Sequence, residues 1–489
     1  MSERSISPPA SSMRERRVAH APRASHVARV LVSFRRTALA SVVAQVGGAS
    51  RRLLARCVFL APLLTSACEN SIPPATVEVR VITPTSADPF DGEPITRVTL
   101  ELQQEGAEPV RVVEDVDDDF DLGLALTDLT LRTRTRVILE GADGVLLHGA
   151  APPFVPLASG GLVRIVVGPP GACAVVGRAQ LPAARARRGH ALVDTFAVFV
   201  AGLDAEGVAS NSVTSLDLLR FDALDDATTE GALPALTRLR GPARAAAFGV
   251  SRLAIVSDDA AVRYDLGVFE GREAALALHE GADLTSAFGS VGNAAIVAGG
   301  SSAEATWITA EERRIPIALR SARADGALVA VGDAALLSGG VTAEGAPLAE
   351  LLRADGSSVA VEGAVDGIRR HGRFVVADDV VLLVGGVDAD GALRTDTVAF
   401  RGCPSACVAS AGPTWDEPRE GLSTTGDLLV AGDRVERFTG DAIVPHAMLA
   451  VPRQDPLVAR LESGVLLVAG GEPARRDVEL CFPETLDPL

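Results

Sequence analysis

Four apolar runs in this chain stop on a glycine pair: Ala295-Ile-Val-Ala-Gly-Gly300, Ala335-Leu-Leu-Ser-Gly-Gly340, Val381-Leu-Leu-Val-Gly-Gly386 and Val465-Leu-Leu-Val-Ala-Gly-Gly471. A weaker copy, Leu428-Leu-Val-Ala-Gly432, lies between the last two, so the closing glycines stand at 300, 340, 386, 432 and 471. Their spacing, 40, 46, 46 and 39 residues, is that of a repeat fold. A β-rich unit of this length has the size of one propeller blade. At a strand end, two residues without Cβ permit positive φ and close backbone approach.

Charge divides the chain. Residues 1–67 hold 11 of the 46 arginines and only Glu3 and Glu15 as acids, while the remainder carries 35 arginines against 61 acidic residues, a net of −26. So acidic a body repels phosphate backbones, which argues against nucleic acid as a partner. Lysine is absent altogether, a bias we attribute to a GC-rich genome.

The basic leader ends in Arg51-Arg52-Leu-Leu-Ala-Arg56, the apolar Cys57-Val-Phe-Leu-Ala-Pro-Leu-Leu64 and Thr65-Ser66-Ala67-Cys68. This order of charged, apolar and small residues is that of a signal peptide, and the apolar run is too short to span a bilayer. Its ending resembles a bacterial lipoprotein signal, which implies cleavage of residues 1–67, acylation of Cys68, a tether over 68–74 and a home in the cell envelope, at the outer membrane. An internal start near Val42 would leave a leader of conventional length.

Thr76–Ile82, Thr96–Leu102 and Thr135–Leu139 alternate apolar and charged residues, and Val145–His148, Phe154–Leu157 and Leu162–Val167 continue the series. Period-two alternation predicts half-buried antiparallel strands, and a β-sandwich of immunoglobulin or fibronectin type over 75–168 is the expected container. Gly168-Pro-Pro-Gly171 marks its end. Beyond it, repeats are expected to start near Arg188, Arg244, Leu284, Gly326, Arg370, Arg419 and Arg453. The fold class is thus all-β, a sandwich followed by seven repeats.

The repeats resemble kelch-type propellers, the family that includes the central domain of galactose oxidase. The matching features are the openings Arg187-Arg188-Gly189-His190-Ala191, Pro418-Arg419-Glu-Gly421 and Pro452-Arg453, each followed by an aliphatic strand, a glycine stop and an Asp-rich turn. The resemblance implies a seven-bladed kelch-like propeller over 172–489. Such a ring must join its last blade to its first. The chain ends soon after Arg476–Phe482, a third strand, and Ala172-Cys-Ala-Val-Val-Gly177 can supply the fourth, so residues 172–180 are expected to complete the last blade. Cys173 and Cys481 would then be cross-strand neighbours, and Cys403 would pair with Cys407 across a local turn.

Copper chemistry of the galactose-oxidase kind needs tyrosine ligands, and Tyr264 is the only tyrosine. His148, His190, His279, His371 and His446 show no metal-ligand spacing, and no nucleophile elbow or phosphate loop occurs. No catalytic residue, metal or cofactor is therefore assigned. The remaining candidate is a ligand-binding rim at the mouth of the central channel, formed by Arg188, His190, Arg370, His371, Arg419, Arg453, Asp388 and Asp390. Two functions fit these features: a monomeric envelope lipoprotein whose propeller binds a protein or glycan without catalysis, or an extracytoplasmic carbohydrate-active enzyme. Carboxylates spent on joints between blades favour the first; an acid/base pair at the channel mouth favours the second.

Overall fold

The computed structural model describes residues 28–32, 77–84, 95–115, 126, 128–157, 159, 162–177, 179–224, 233–267, 272–342, 349–363 and 369–489. Among these the chain is all-β, with no helix. Cys68 and the tether 68–74 lie outside the described residues. The segment assigned to the leader nevertheless contributes one strand, Ala28–Val32, which pairs antiparallel with Val77–Ile82 at a sheet edge.

Two sheets enclose the N-terminal core. One is ordered Ala28–Val32, Val77–Ile82, Leu162–Val166; the other is ordered Val110–Asp115, Arg97–Gln104, Thr133–Gly141, Gly144–Phe154. Val79, Val98, Leu100, Val137, Leu147, Val163 and Ile165 share one cluster between them. Two expectations are corrected here. Val77–Ile82 and Leu162–Val166 pair in parallel, because the chain crosses the other sheet between them. The runs at Val145 and Phe154 are one strand, Gly144–Phe154, carried through two register shifts opposite Thr133–Gly141.

From residue 189 onward the chain forms seven small antiparallel sheets in sequence. Their leading strands are Gly189–Val193, Arg244–Phe248, Ala287–Val291, Arg323–Val331, Arg373–Ala377, Ser423–Thr425 and Leu457–Arg460. Each leading strand lies beside the next, and the seventh lies beside the first. Six sheets have four strands; the sixth has three, two of them the long hairpin Leu428–Phe438 and Ile443–Arg453.

Burial explains why the second strands read as unbroken apolar runs. Each faces a neighbour on both sides, so both sets of alternate side chains leave water. In the fifth sheet, Val381 and Leu383 join the core shared with the fourth, whereas Val380, Leu382 and Val384 join the core shared with the sixth. Likewise Leu466 and Val468 pack toward the sixth sheet and Leu467 and Ala469 toward the first.

The seventh sheet is completed from upstream. Cys173–Val175 pairs antiparallel with Val478–Cys481, Cys481 falls opposite Cys173, and the two are joined by a disulfide across 308 positions. Cys403 and Cys407 form the second disulfide. The boundary Gly168-Pro-Pro-Gly171 is a packed joint, not a free hinge: Gly168 lies against Phe482 so closely that a Cβ would overlap the ring, and His148 sits 6.3 Å from that ring. Arg132 and Arg134 each reach Glu462 at 2.7 Å across the same joint.

Chain entropy predicts unequal disulfides. Closing a five-residue loop is worth about 2 kcal/mol, and closing one of several hundred residues at least about 5, before any loss to strain. Cys173→Ser should therefore lower the denaturation midpoint much more than Cys403→Ser, and denaturant titrations of the two variants measure the difference.

Candidate functional site

Strand register supplies a common frame for the seven sheets. The residues paired with the last position before each strand-end stop are Gly189, Arg244, Ala287, Ala327, Arg373, Ser423 and Leu457. Two positions earlier stand Arg187, Pro242, Thr285, Asp325, His371, Gly421 and Asp455, and all seven line a central cavity of about 1050 Å³. Four positions earlier stand Arg185, Arg240, Asp283, Arg323, Arg369, Arg419 and Arg453, arginine in six cases of seven.

Three arginines of this last tier are structural. Arg323, Arg369 and Arg453 are buried, and each donates from Nη1 to the carbonyl of the first glycine of its own stop: Gly339 at 2.5 Å, Gly385 at 2.5 Å and Gly470 at 3.2 Å. Each also faces a carboxylate of the third strand or the turn before it: Glu350 at 3.9 Å, Asp396 at 3.0 Å and, in closer contact, Glu479. Meanwhile the backbone carbonyls of Arg323 and Arg369 accept the N–H of Gly300 and Gly340 from the preceding sheet, at 2.9 and 2.6 Å. A Cβ on Gly339 would press on that Arg369 carbonyl, so the first stop glycine is a packing requirement as well as a φ requirement. In the third sheet, which has Asp283 in place of arginine, His279 Nε2 binds Gly299 O at 2.9 Å instead.

The residues singled out from sequence therefore divide. Arg188, His190, His371 and Arg419 line the cavity. Arg453 does not: with Glu479 it is wholly enclosed, both side chains 0% exposed, because it belongs to the tier that docks sheets. Arg370 turns outward to the carbonyl of Asp388 at 3.2 Å, and its neighbour Arg369 takes the buried role. Asp388 caps its own turn, accepting the N–H groups of Asp390 and Ala392 at 2.9 Å, so Asp388 and Asp390 belong to a solvated turn away from the cavity lining. Arg188 donates to Ala183 O and lies over the Phe199 ring, while Arg419 pairs with Glu417 and Asp433.

What gathers at the cavity mouth is a different set. Arg187, Asp325, His371 and Asp455 all adopt left-handed backbone, with φ of 49°, 58°, 58° and 44°. Such a conformation costs on the order of 1 kcal/mol for a residue with a Cβ. In three of them it lets the N–H reach the sheet before: Asp325 N donates to Thr285 O at 2.6 Å, His371 N to Asp325 O at 3.1 Å and Asp455 N to Gly421 O at 2.6 Å. Side chains then pair across the mouth, His371 Nδ1 with Asp325 Oδ1 at 3.7 Å and Arg373 Nη2 with Asp455 Oδ1 at 3.4 Å. Sequence reading missed Asp325, Asp455, Arg244 and Arg373 as site residues; counting back from each stop in a common strand frame would have found them.

Enclosure perturbs the charged groups. Desolvation pushes the His190 imidazole down to about 4, partly opposed by the Asp455 carboxylate and by a backbone hydrogen bond to Arg188, with the charge of Arg373 adding to the fall. Arg244 is lowered to about 10, first by desolvation and then by the like charge of Arg373. His371 is lowered by burial, against the pull of Asp325. At neutral pH the His190 and His371 imidazoles are thus neutral.

No family model and no curated protein matches the sequence. Among solved structures that of YjhT is similar, at 10% identity and a TM-score of 0.39, the match covering 61% of this chain and 94% of that one. At that score the likeness carries no argument about this chain.

Two outcomes follow from these placements. Arg453→Met strands the Glu479 carboxylate in a dry site and should cost about 3–5 kcal/mol, and adding Glu479→Gln should recover part of that loss, as denaturant titration of the single and double variants will show. For His190, the folded pKa of about 4 lies below the ordinary 6.5, so the unfolded chain binds more protons between these values and stability falls as pH drops through that window. His190→Gln should therefore lose less melting temperature than the parent between pH 7 and pH 4.

Proposed function

We propose that the seven sheets are the blades of a kelch-like propeller and that the chain is a monomeric, non-catalytic envelope lipoprotein, anchored through Cys68, that binds a protein or glycan at the mouth of its central cavity. The sandwich over 75–168 serves as spacer or second binding module. Supporting the propeller are the sequence of leading strands, the last beside the first, and the cores shared by consecutive sheets. The two disulfides suit an oxidising, extracytoplasmic compartment.

The observation that carries the binding reading is the division of labour among the arginines. Arg323, Arg369 and Arg453 are consumed by joints between sheets, while a strained polar tier of Arg187, Asp325, His371 and Asp455 is turned into the cavity. Strain of that kind is retained where geometry serves a ligand. The enzyme alternative rests on His371 and Asp325, an imidazole and a carboxylate 3.7 Å apart at the mouth.

Fractionation and affinity capture test this reading with the full chain. The parent should be recovered with membranes and carry lipid on Cys68, whereas Cys68→Ala should be soluble. A glycan array and partner capture should give a specific signal that Asp325→Ala with His371→Ala removes without lowering the melting temperature. Turnover of a captured glycan, lost in the same variant, would instead establish the enzyme.

A further inference from the structure

The seven sheets repeat one frame, so a residue that only one or two of them carry at a given position is not demanded by the scaffold. The tier paired with the last residue before each stop is glycine, alanine, serine or leucine in five sheets: Gly189, Ala287, Ala327, Ser423 and Leu457. In the second and fifth it is Arg244 and Arg373. Both line the cavity, one step below the strained mouth, and they are near enough for the charge of Arg373 to lower the pKa of Arg244. Like charges so placed repel each other in a partly desolvated site, a cost the five neutral sheets avoid.

Their partners are unequal. Arg373 pairs with Asp455 and also donates to Gly372 O at 3.2 Å. Arg244 donates from Nη1 to Ser286 O at 3.1 Å and forms no ion pair among the described residues. Its remaining guanidinium N–H groups suit an oxyanion, and a planar guanidinium matches a carboxylate edge to edge. Asp325, Asp455 and Asp283 act on the same arginine from nearby, and their charges oppose a phosphate dianion more strongly than a monoanion. Around the pair, Ala245, Ala327, Phe288 and Leu328 present an apolar wall for the body of a small molecule.

We propose that Arg244 and Arg373 seat the carboxylate of a small monoanionic ligand inside the cavity mouth. The inference deepens the binding role proposed above by naming the chemistry that the mouth accepts.

Calorimetric titration of the full chain with lactate, glucuronate and benzoate, each beside its neutral amide and beside inorganic phosphate, tests it. At least one carboxylate should bind, its amide at least tenfold more weakly, and phosphate should not displace it at equal concentration. Arg244→Met and Arg373→Met should each lower the affinity at least tenfold, with Arg244→Lys intermediate. Equal binding of acid and amide, undiminished binding in both methionine variants, or no binding by any of the three acids at 10 mM would overturn the proposal. The comparison of acid with amide needs only the parent chain, so it stands even where a variant fails to fold. Capture of a neutral glycan or protein partner that survives Arg244→Met would remove this inference and leave the binding platform intact.

Discussion

The joints from the third sheet to the fourth and from the fourth to the fifth each rest on a buried arginine that works in two directions. Its backbone carbonyl takes the N–H of the second stop glycine of the sheet before, as Arg323 does for Gly300 and Arg369 for Gly340, while its guanidinium holds the first stop glycine of its own sheet. Arginine suits this place because its fixed fork can serve a carbonyl and a carboxylate at once. Burying the cation is costly, and desolvation lowers Arg323, Arg369 and Arg453 alike, so each has its carboxylate. The Glu479 carboxylate also accepts the N–H groups of Ala450 and Val451, at 2.8 and 3.1 Å, and so ties the sixth sheet's last strand to the seventh. Apolar cores supply the driving force between sheets, but they are tolerant of sliding. The directional arginine contacts fix which residue meets which.

Once that joint is recognised, the glycine stops and the arginine openings are two halves of one device. The stops were legible in the sequence because a strand buried on both faces must be apolar throughout, and glycine suits the places where the next sheet's backbone closes on it, as at Gly299 and Gly339. Completion of the seventh sheet was legible for a similar reason: Val478–Cys481 needs a neighbour, Cys173–Val175 can supply it, and two cysteines fall opposite each other. The openings were harder. Arg369 and Arg370 are adjacent, and a shift of one residue along an extended chain exchanges buried for exposed, so composition alone does not say which turns inward. Arg188 and Arg453 look alike in sequence, yet they stand in different tiers of the frame, the first against Phe199 at the cavity and the second enclosed with Glu479.

Three features had no local signal. The parallel pairing of Val77–Ile82 with Leu162–Val166 joins residues some eighty positions apart, and alternation is the same for either direction. The missing fourth strand of the sixth sheet follows from length, since its hairpin strands run to eleven residues each and spend the chain that other repeats use on an outer strand. The left-handed residues at the mouth are Arg, Asp and His, not glycine, and nothing in their sequence neighbourhoods announces positive φ.

That last feature bears on function more than any other. Gly421 meets the same backbone demand in the sixth sheet without strain, so the fold does not require a side chain there. Asp325, His371 and Asp455 accept the cost and gain polar groups held rigidly by a backbone hydrogen bond to the adjoining sheet. A site built this way depends little on loop order: its donors and acceptors are positioned by strand ends, and those are positioned by the buried arginines behind them. The same scaffold could carry different ligands by changing residues in the two innermost tiers alone. In a repeat fold, departure from the repeat at a cavity-lining position therefore separates what the sheets need from what the ligand needs.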